Sequence, residues 1–177
     1  MWLMAPSLLA IAYVLPLFGG KRLRDFDFVK IFFVALVWAW ACSLIPLIEL
    51  GYKIDGEMLL RFASSFFFIF AITVPFDIRD LDIDDHSRVK TLPSLLGVER
   101  SRQLSYLLLA FAIGIDILSF GQGYISLVQL LAHGLTYFYC IVLIRVLKPG
   151  LHDYYYTGLL DGSIILLAIL IFIPSLF

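Results

Sequence analysis

Five aspartates, Asp77, Asp80, Asp82, Asp84 and Asp85, fall within nine residues of a chain that is 62% hydrophobic over its 177 residues. A carboxylate beside a hydrocarbon span is costly, so in a membrane protein such residues mark function by default. If the preceding apolar helix runs on through the segment, Asp77, Asp80 and Asp84 stand at i, i+3 and i+7 on one face. Asp82 and Asp85 then point elsewhere. Three carboxylates on one stripe, spanning roughly 10 Å at about 1.5 Å of rise per residue, suit divalent cations that hold a diphosphate. Mg²⁺ binds through one or two carboxylates and fills its shell with water and substrate phosphate oxygens. A metal-bound diphosphate also calls for cations, and Arg88 and Lys90 follow directly. The competing reading is a solvated acidic loop between two membrane helices, since Asp and Glu contribute little to topology.

The flanking residues sharpen the choice. Asp77-x-x-Asp80-x-x-x-Asp84, then Val89-Lys90-Thr91-Leu92-Pro93 and Leu96-Gly97, resembles the second aspartate-rich motif of the UbiA superfamily of intramembrane prenyltransferases. Upstream, Tyr13 and Pro16 followed by Lys21-Arg22 is similar to the basic connection between that family's fourth and fifth helices. Downstream, Tyr154-Tyr155-Tyr156 with Asp161-Gly162 resembles the start of its last helix. The resemblance covers essentially the whole chain. It implies Mg²⁺-dependent transfer of a prenyl group from a prenyl diphosphate to a lipophilic, aromatic acceptor inside the membrane, as in quinone biosynthesis. It implies Asp77, Asp80 and Asp84 as metal ligands and Lys90 as the catalytic cation on the diphosphate. Arg88, Lys21 and Arg22 become further diphosphate contacts.

The family pattern is not complete here. It has nine helices and a first motif of the Asn-x-x-x-Asp-x-x-x-Asp type, which does not occur in this sequence. Met1 falls where the fourth helix should begin, so residues 1–177 read as one transmembrane domain corresponding to helices four to nine. With half of the expected diphosphate site missing, an inactive fragment, or a non-catalytic truncated membrane protein or subunit, stands as the alternative. A CDP-alcohol phosphatidyltransferase is disfavoured, because Asp161-Gly162 is not followed by the Ala-Arg that such enzymes carry.

The elements that must position these residues are membrane helices. Apolar runs at about 2–18, 28–48, 57–76, 103–120, 124–146 and 158–176 are of spanning length, and they predict an all-α polytopic bundle of about six transmembrane helices. Eleven of the 13 basic residues lie in alternate connections, together with the aspartates, leaving Lys53 and Arg61 on the other side. By the positive-inside rule the Asp-rich loop is cytoplasmic and both termini are outside, in an integral membrane protein of a bacterial inner membrane. No signal peptide is evident, and no nucleic-acid partner is expected; membrane lipid is. On this reading Arg24, Lys30, Arg100 and Arg102 are topology charges.

The remaining polar residues are ambiguous in sequence. Gln129, His133 and Tyr137 recur every fourth residue on one face, fitting either contacts to an acceptor or interhelical hydrogen bonds. Asp161 opens the last span, where a carboxylate favours a helix N-terminus, and it too is a candidate acceptor contact. Asp116 is placed near the outer end of its span, reaching interfacial water. Cys42 and Cys140 read as packing residues, lacking any metal or disulfide spacing. Phe66 to Phe70, Trp38, Trp40, Tyr137 and Tyr139 fit a wall around an allylic cation as well as ordinary membrane packing. Pro75 is positioned to kink its helix. Ser94 to Gly97 fits a short lid over the site or a surface linker.

Overall fold

A computed structural model describes residues 4–16, 29–81, 91–148 and 150–173, and among these every element is helical. The first helix, α1, covers Met4–Val14. Helix α2, Val29–Ala39, runs through a π-helical turn at Trp40–Leu44 into α3, Ile45–Glu49. The π turn has a local cause. Pro46 has no N–H and its ring crowds the carbonyl four residues back. The ladder therefore widens just before it, and the Ile45 N–H bonds the Trp40 carbonyl.

Helix α4, Gly56–Arg79, begins at Asp55, whose side chain accepts the Met58 N–H at 3.0 Å. It runs unbroken through Pro75 and ends at Asp80. A five-residue helix α5, Leu92–Leu96, leads through Gly97, at φ +80°, into α6, Val98–Gly121. A tight turn with Gly123 at φ +76° precedes α7, Leu127–Val146. A second π segment, Tyr155–Leu160, passes into α8, Gly162–Phe172.

Five of the described helical stretches are long and apolar enough to span a bilayer: Val29–Glu49, Gly56–Arg79, Val98–Gly121, Leu127–Val146 and Tyr155–Phe172. The first predicted span is represented by the 11 residues of α1. The last span begins earlier than sequence indicated. Asp161 therefore lies a turn and a half inside it and makes no side-chain cap bond.

Helix α4 is the axis of the bundle, packed on α2 along one side and on α6 along the other, and α7 then bridges α6 and α8. Lipid tails are as apolar as leucine, so helices in a membrane associate through close packing rather than hydrophobic expulsion. Small residues at the crossings provide it here: Ala35 and Ala39 on α2, Ala71 on α4 and Ala112 on α6 are fully buried. Helix α8, in contrast, packs on α7 and buries only Ser163 among its own residues. Its other side stands off α2 and α4, and the space between is cavity.

Overpacking of the α4–α6 crossing should be measurable. Ala112→Leu should destabilise the bundle by about 1–3 kcal/mol. Ala110→Leu, on the exposed side of the same helix, should leave the unfolding midpoint of the reconstituted protein within error. Equal midpoints for the two variants would contradict this packing.

Candidate functional site

Helix α4 reaches Asp77 while still helical, and packing against α2 buries that carboxylate to 4% exposure. The Lys30 ammonium, from the first turn of α2, lies 3.8 Å from Asp77 Oδ1. Both line a cavity of about 410 Å³ between α2, α4 and α8, and Asp161 lines it too. The charged groups Lys30, Asp77 and Asp161 occupy one end of the lining by their places along the helices. Trp38, Ile69 and Ile72 lie progressively further along α2 and α4. The result is an ionic head and an apolar body, the shape of an amphiphile with a charged end.

Asp80 has different company. As the residue that ends α4, it accepts the Arg79 Nε–H at 2.7 Å. The Arg79 guanidinium also lies 3.6 Å from Asp153 and over the rings of Phe76 and Tyr156, at 5.3 and 5.6 Å from their centroids. Arg79 thus ties the end of α4 to the start of the last span. Buried Tyr156 is fixed in turn by donating its hydroxyl to the Lys148 carbonyl.

Of the predicted site residues, the structure brings Asp77 and Asp161 to one cavity and places Asp80 on the adjoining Arg79 tie. Asp84, Arg88, Lys90, Lys21 and Arg22 lie outside the described residues, as do Asp82 and Asp85. Lys30, read in sequence as a topology charge, lines the same cavity beside Asp77. The signal lay in its position at the start of a span entering from the basic connection, where a lysine faces the same membrane level as the aspartates. Arg102 is likewise not a free topology charge. It bonds Glu99 at 2.9 Å and donates to the Leu147 carbonyl, linking α6 to the end of α7.

A second polar cluster lies nearer the other end of α4. Contrary to the sequence expectation, Asp116 does not reach interfacial water; it is 3% exposed. Helices α4, α6 and α7 converge on it. Ser64 donates to Oδ1 at 2.6 Å and Tyr137 donates to Oδ2 at 2.8 Å. His133 Nδ1 lies 3.5 Å from Oδ2, and the His133 and Tyr137 rings are parallel to within 10°. A buried carboxylate persists where donors of this kind surround it. The predicted Gln129–His133–Tyr137 stripe is split. Its last two members join this cluster, whereas Gln129 caps its own helix, exchanging hydrogen bonds with Ser126 at 2.8 and 3.2 Å. Cys140 is buried as expected, but Cys42 is exposed.

The aromatic residues divide as well. Phe66 and Phe70 pack edge-on with Phe32 between α2 and α4. Phe68 packs on Tyr137 at 5.2 Å, and Trp40 on Phe62. Trp38 is the aromatic of the predicted wall that reaches the Asp77 cavity. Helix α5 packs against α4 and α6.

The model of the UbiA prenyltransferase family matches residues 1–151 of the chain. No curated protein and no solved structure matches it.

The Asp116 cluster makes a graded prediction for stability. Tyr137→Phe removes one donor and should cost about 0.5–1.5 kcal/mol. Asp116→Ala leaves two buried hydroxyls without their acceptor and should cost about 1–3 kcal/mol. A double-mutant cycle of Ser64→Ala with Tyr137→Phe should be non-additive, because both hydroxyls serve one carboxylate. Additive losses in unfolding of the reconstituted protein would show that the three groups do not act together.

Proposed function

We propose that this chain, which belongs to the UbiA prenyltransferase family, binds a prenyl diphosphate at the Asp77 end of its bundle. There it takes part in Mg²⁺-dependent transfer of the prenyl group to a lipophilic, aromatic acceptor within the membrane. The protein is an integral membrane protein. The observation that carries the reading is the cavity in which Lys30, Asp77 and Asp161 stand at the head of an apolar lining. A diphosphate fits the ionic end and an isoprenoid tail fits the rest.

Transfer begins when the bond between the prenyl carbon and the diphosphate oxygen breaks and the diphosphate leaves with the electron pair. The acceptor then attacks the allylic cation and gives up a proton. The leaving group is highly charged, so its neutralisation dominates the barrier. Carboxylate oxygens are the ligands that hard divalent cations take, and Asp77 and Asp80, with Asp84, are the residues that would hold Mg²⁺. When bound, the ion supplies positive charge to the departing diphosphate. Lys90 is the principal cation on the diphosphate in this reading, with Arg88, Lys21 and Arg22 as further contacts, and Lys30 joins them from α2. Arg79 acts as a positioning residue, holding Asp80 against Asp153 and the last span.

The apolar lining from Trp38 to Ile72 excludes water from the cation, which would otherwise be hydrolysed. Asp161 shares that cavity and is the acceptor-side candidate. Gln129 drops out, because its side chain is committed to a helix cap. The density of basic residues around the aspartates supports a cytoplasmic placement of this end in a bacterial inner membrane.

The test is binding of a non-hydrolysable prenyl thiodiphosphate to the protein in lipid nanodiscs. Binding should require Mg²⁺. Asp77→Asn and Asp80→Asn should each weaken it roughly tenfold or more, the scale on which one charged contact acts. Lys90→Glu should weaken it more than Arg100→Glu, whose side chain sits on the exposed side of α6. Binding that is indifferent to Mg²⁺ and to Asp77→Asn would refute the assignment.

A further inference from the structure

The Asp116 cluster faces a second cavity, of about 380 Å³, that the transfer reading does not use. Ser64 and Asp77 are 13 residues apart on α4, so the two polar ends are separated by about 20 Å at the α-helical rise. One wall of this cavity is polar, formed by Ser64, Asp116, His133 and Tyr137. The other is apolar, formed by residues of α3 and α8 such as Leu47 and Ile171. Both oxygens of Asp116 already accept a hydroxyl. His133 is the exception in the cluster. Its Nδ1 is buried and has no hydrogen-bond partner, only Asp116 Oδ2 at 3.5 Å. With Nδ1 sealed against that carboxylate, Nε2 is the ring nitrogen left for a ligand in the cavity that His133 lines.

We propose that this cavity is a second ligand site, taking an uncharged lipophile that carries a hydroxyl, with His133 as the group that recognises the hydroxyl. The charge follows from the lining. Asp116 repels an anion, and the nearby cation, Arg61, is committed to Glu57 at 2.7 Å and to the Tyr124 carbonyl at 2.8 Å. A metal ion lacks ligands, since no group of three His, Cys, Asp or Glu side chains gathers among the described residues. The carboxylate beside Nδ1 favours the tautomer protonated there, which leaves Nε2 as an acceptor and so calls for a donor on the ligand. The apolar wall selects a hydrocarbon body, and the volume admits a small ring system or a short chain. The site rests on the Asp116 cluster alone and stands whether or not a diphosphate binds at the Asp77 end.

The experiment compares matched pairs of probes on the full chain in nanodiscs, with empty nanodiscs to subtract partitioning. The ring pair is 1-naphthol and naphthalene; the chain pair is farnesol and farnesane. Saturable binding of a hydroxylated probe, roughly tenfold or more tighter than its hydroxyl-free partner, is expected for one hydrogen bond in a dry pocket. Which pair shows the preference tells a ring ligand from a chain ligand. His133→Phe, and the smaller His133→Leu, should erase the preference, and Asp77→Asn should leave it intact. Equal binding within both pairs overturns the proposal on the unmodified protein alone, even if the variants fold poorly. Loss of the preference in Asp77→Asn but not in the His133 variants overturns it too, by moving the ligand to the other cavity.

Discussion

Among the described residues two carboxylates are buried, Asp77 at 4% and Asp116 at 3% exposure, and the helix arrangement follows from how each is accommodated. An isolated charge in hydrocarbon is too costly to persist. Asp116 is met by hydroxyls from two neighbouring helices, which fixes α4, α6 and α7 at one depth. Asp77 is met by an ammonium from α2 at the border of a cavity. The first arrangement closes a polar group inside packed helices. The second sets a carboxylate, paired with an ammonium, in the lining of a cavity. Local surroundings rather than residue type separate the two carboxylates.

The cavities lie where α8, packed on α7 and tied to α4 at the π segment before it, stands off α2 and α4. The π segment at Tyr155–Leu160 is anchored by hydrogen bonds from Tyr155 and Tyr156 to the Leu143 and Lys148 carbonyls. Arg79 pins the same region to the end of α4 through Asp153 and Tyr156. Beyond Gly162 the helix has one fully buried residue; Ile164 and Leu167 pack half-buried against the core, while Ile165 and Ile169 are exposed. A π turn displaces the helix that follows it, and such turns recur at functional sites. Here one lies at the head of the helix that walls both cavities.

Much of this was legible in the sequence. Apolar run length gave the helical membrane bundle, and the aspartate spacing with its Lys-Thr-Leu-Pro flank gave the family. Pro46 and Pro75 were visible, but whether a proline widens the ladder, as before Pro46, or is absorbed in a continuous helix, as at Pro75, depends on neighbouring packing. Asp116 was misplaced because position along a span was taken as depth, whereas burial depends on which helices cover that face. The closeness of Lys30 to Asp77 was not legible for a related reason. A basic residue at a span boundary serves topology and a ligand site equally well in one dimension, and only α2 packing on α4 brings it to Asp77. Gln129 fitted a polar stripe by periodicity, but the first turn of a helix has unpaired N–H groups of its own, and Ser126 with Gln129 satisfies them first.

The two cavities are neighbours, and Ile69 and Ile164 line both. That shared apolar waist matters for a protein holding ionisable groups at both ends. A continuous polar path between Asp77 and Asp116 would admit water along the bundle, and water beside a prenyl cation ends the reaction as hydrolysis. On the proposed reading it would also weaken the electrostatic grip of the Asp77 end on a diphosphate, because screening rises with water content. Both are β-branched, one from α4 and one from α8, so they are stiff at the first torsion and offer water no hydrogen bond. Because Ile69 belongs to α4 and Ile164 to α8, the width of the waist depends on how α8 lies against α4. Occupancy of either cavity would bear on that same helix. The waist is therefore where the two halves of the bundle are mechanically joined, although their polar chemistry is kept apart.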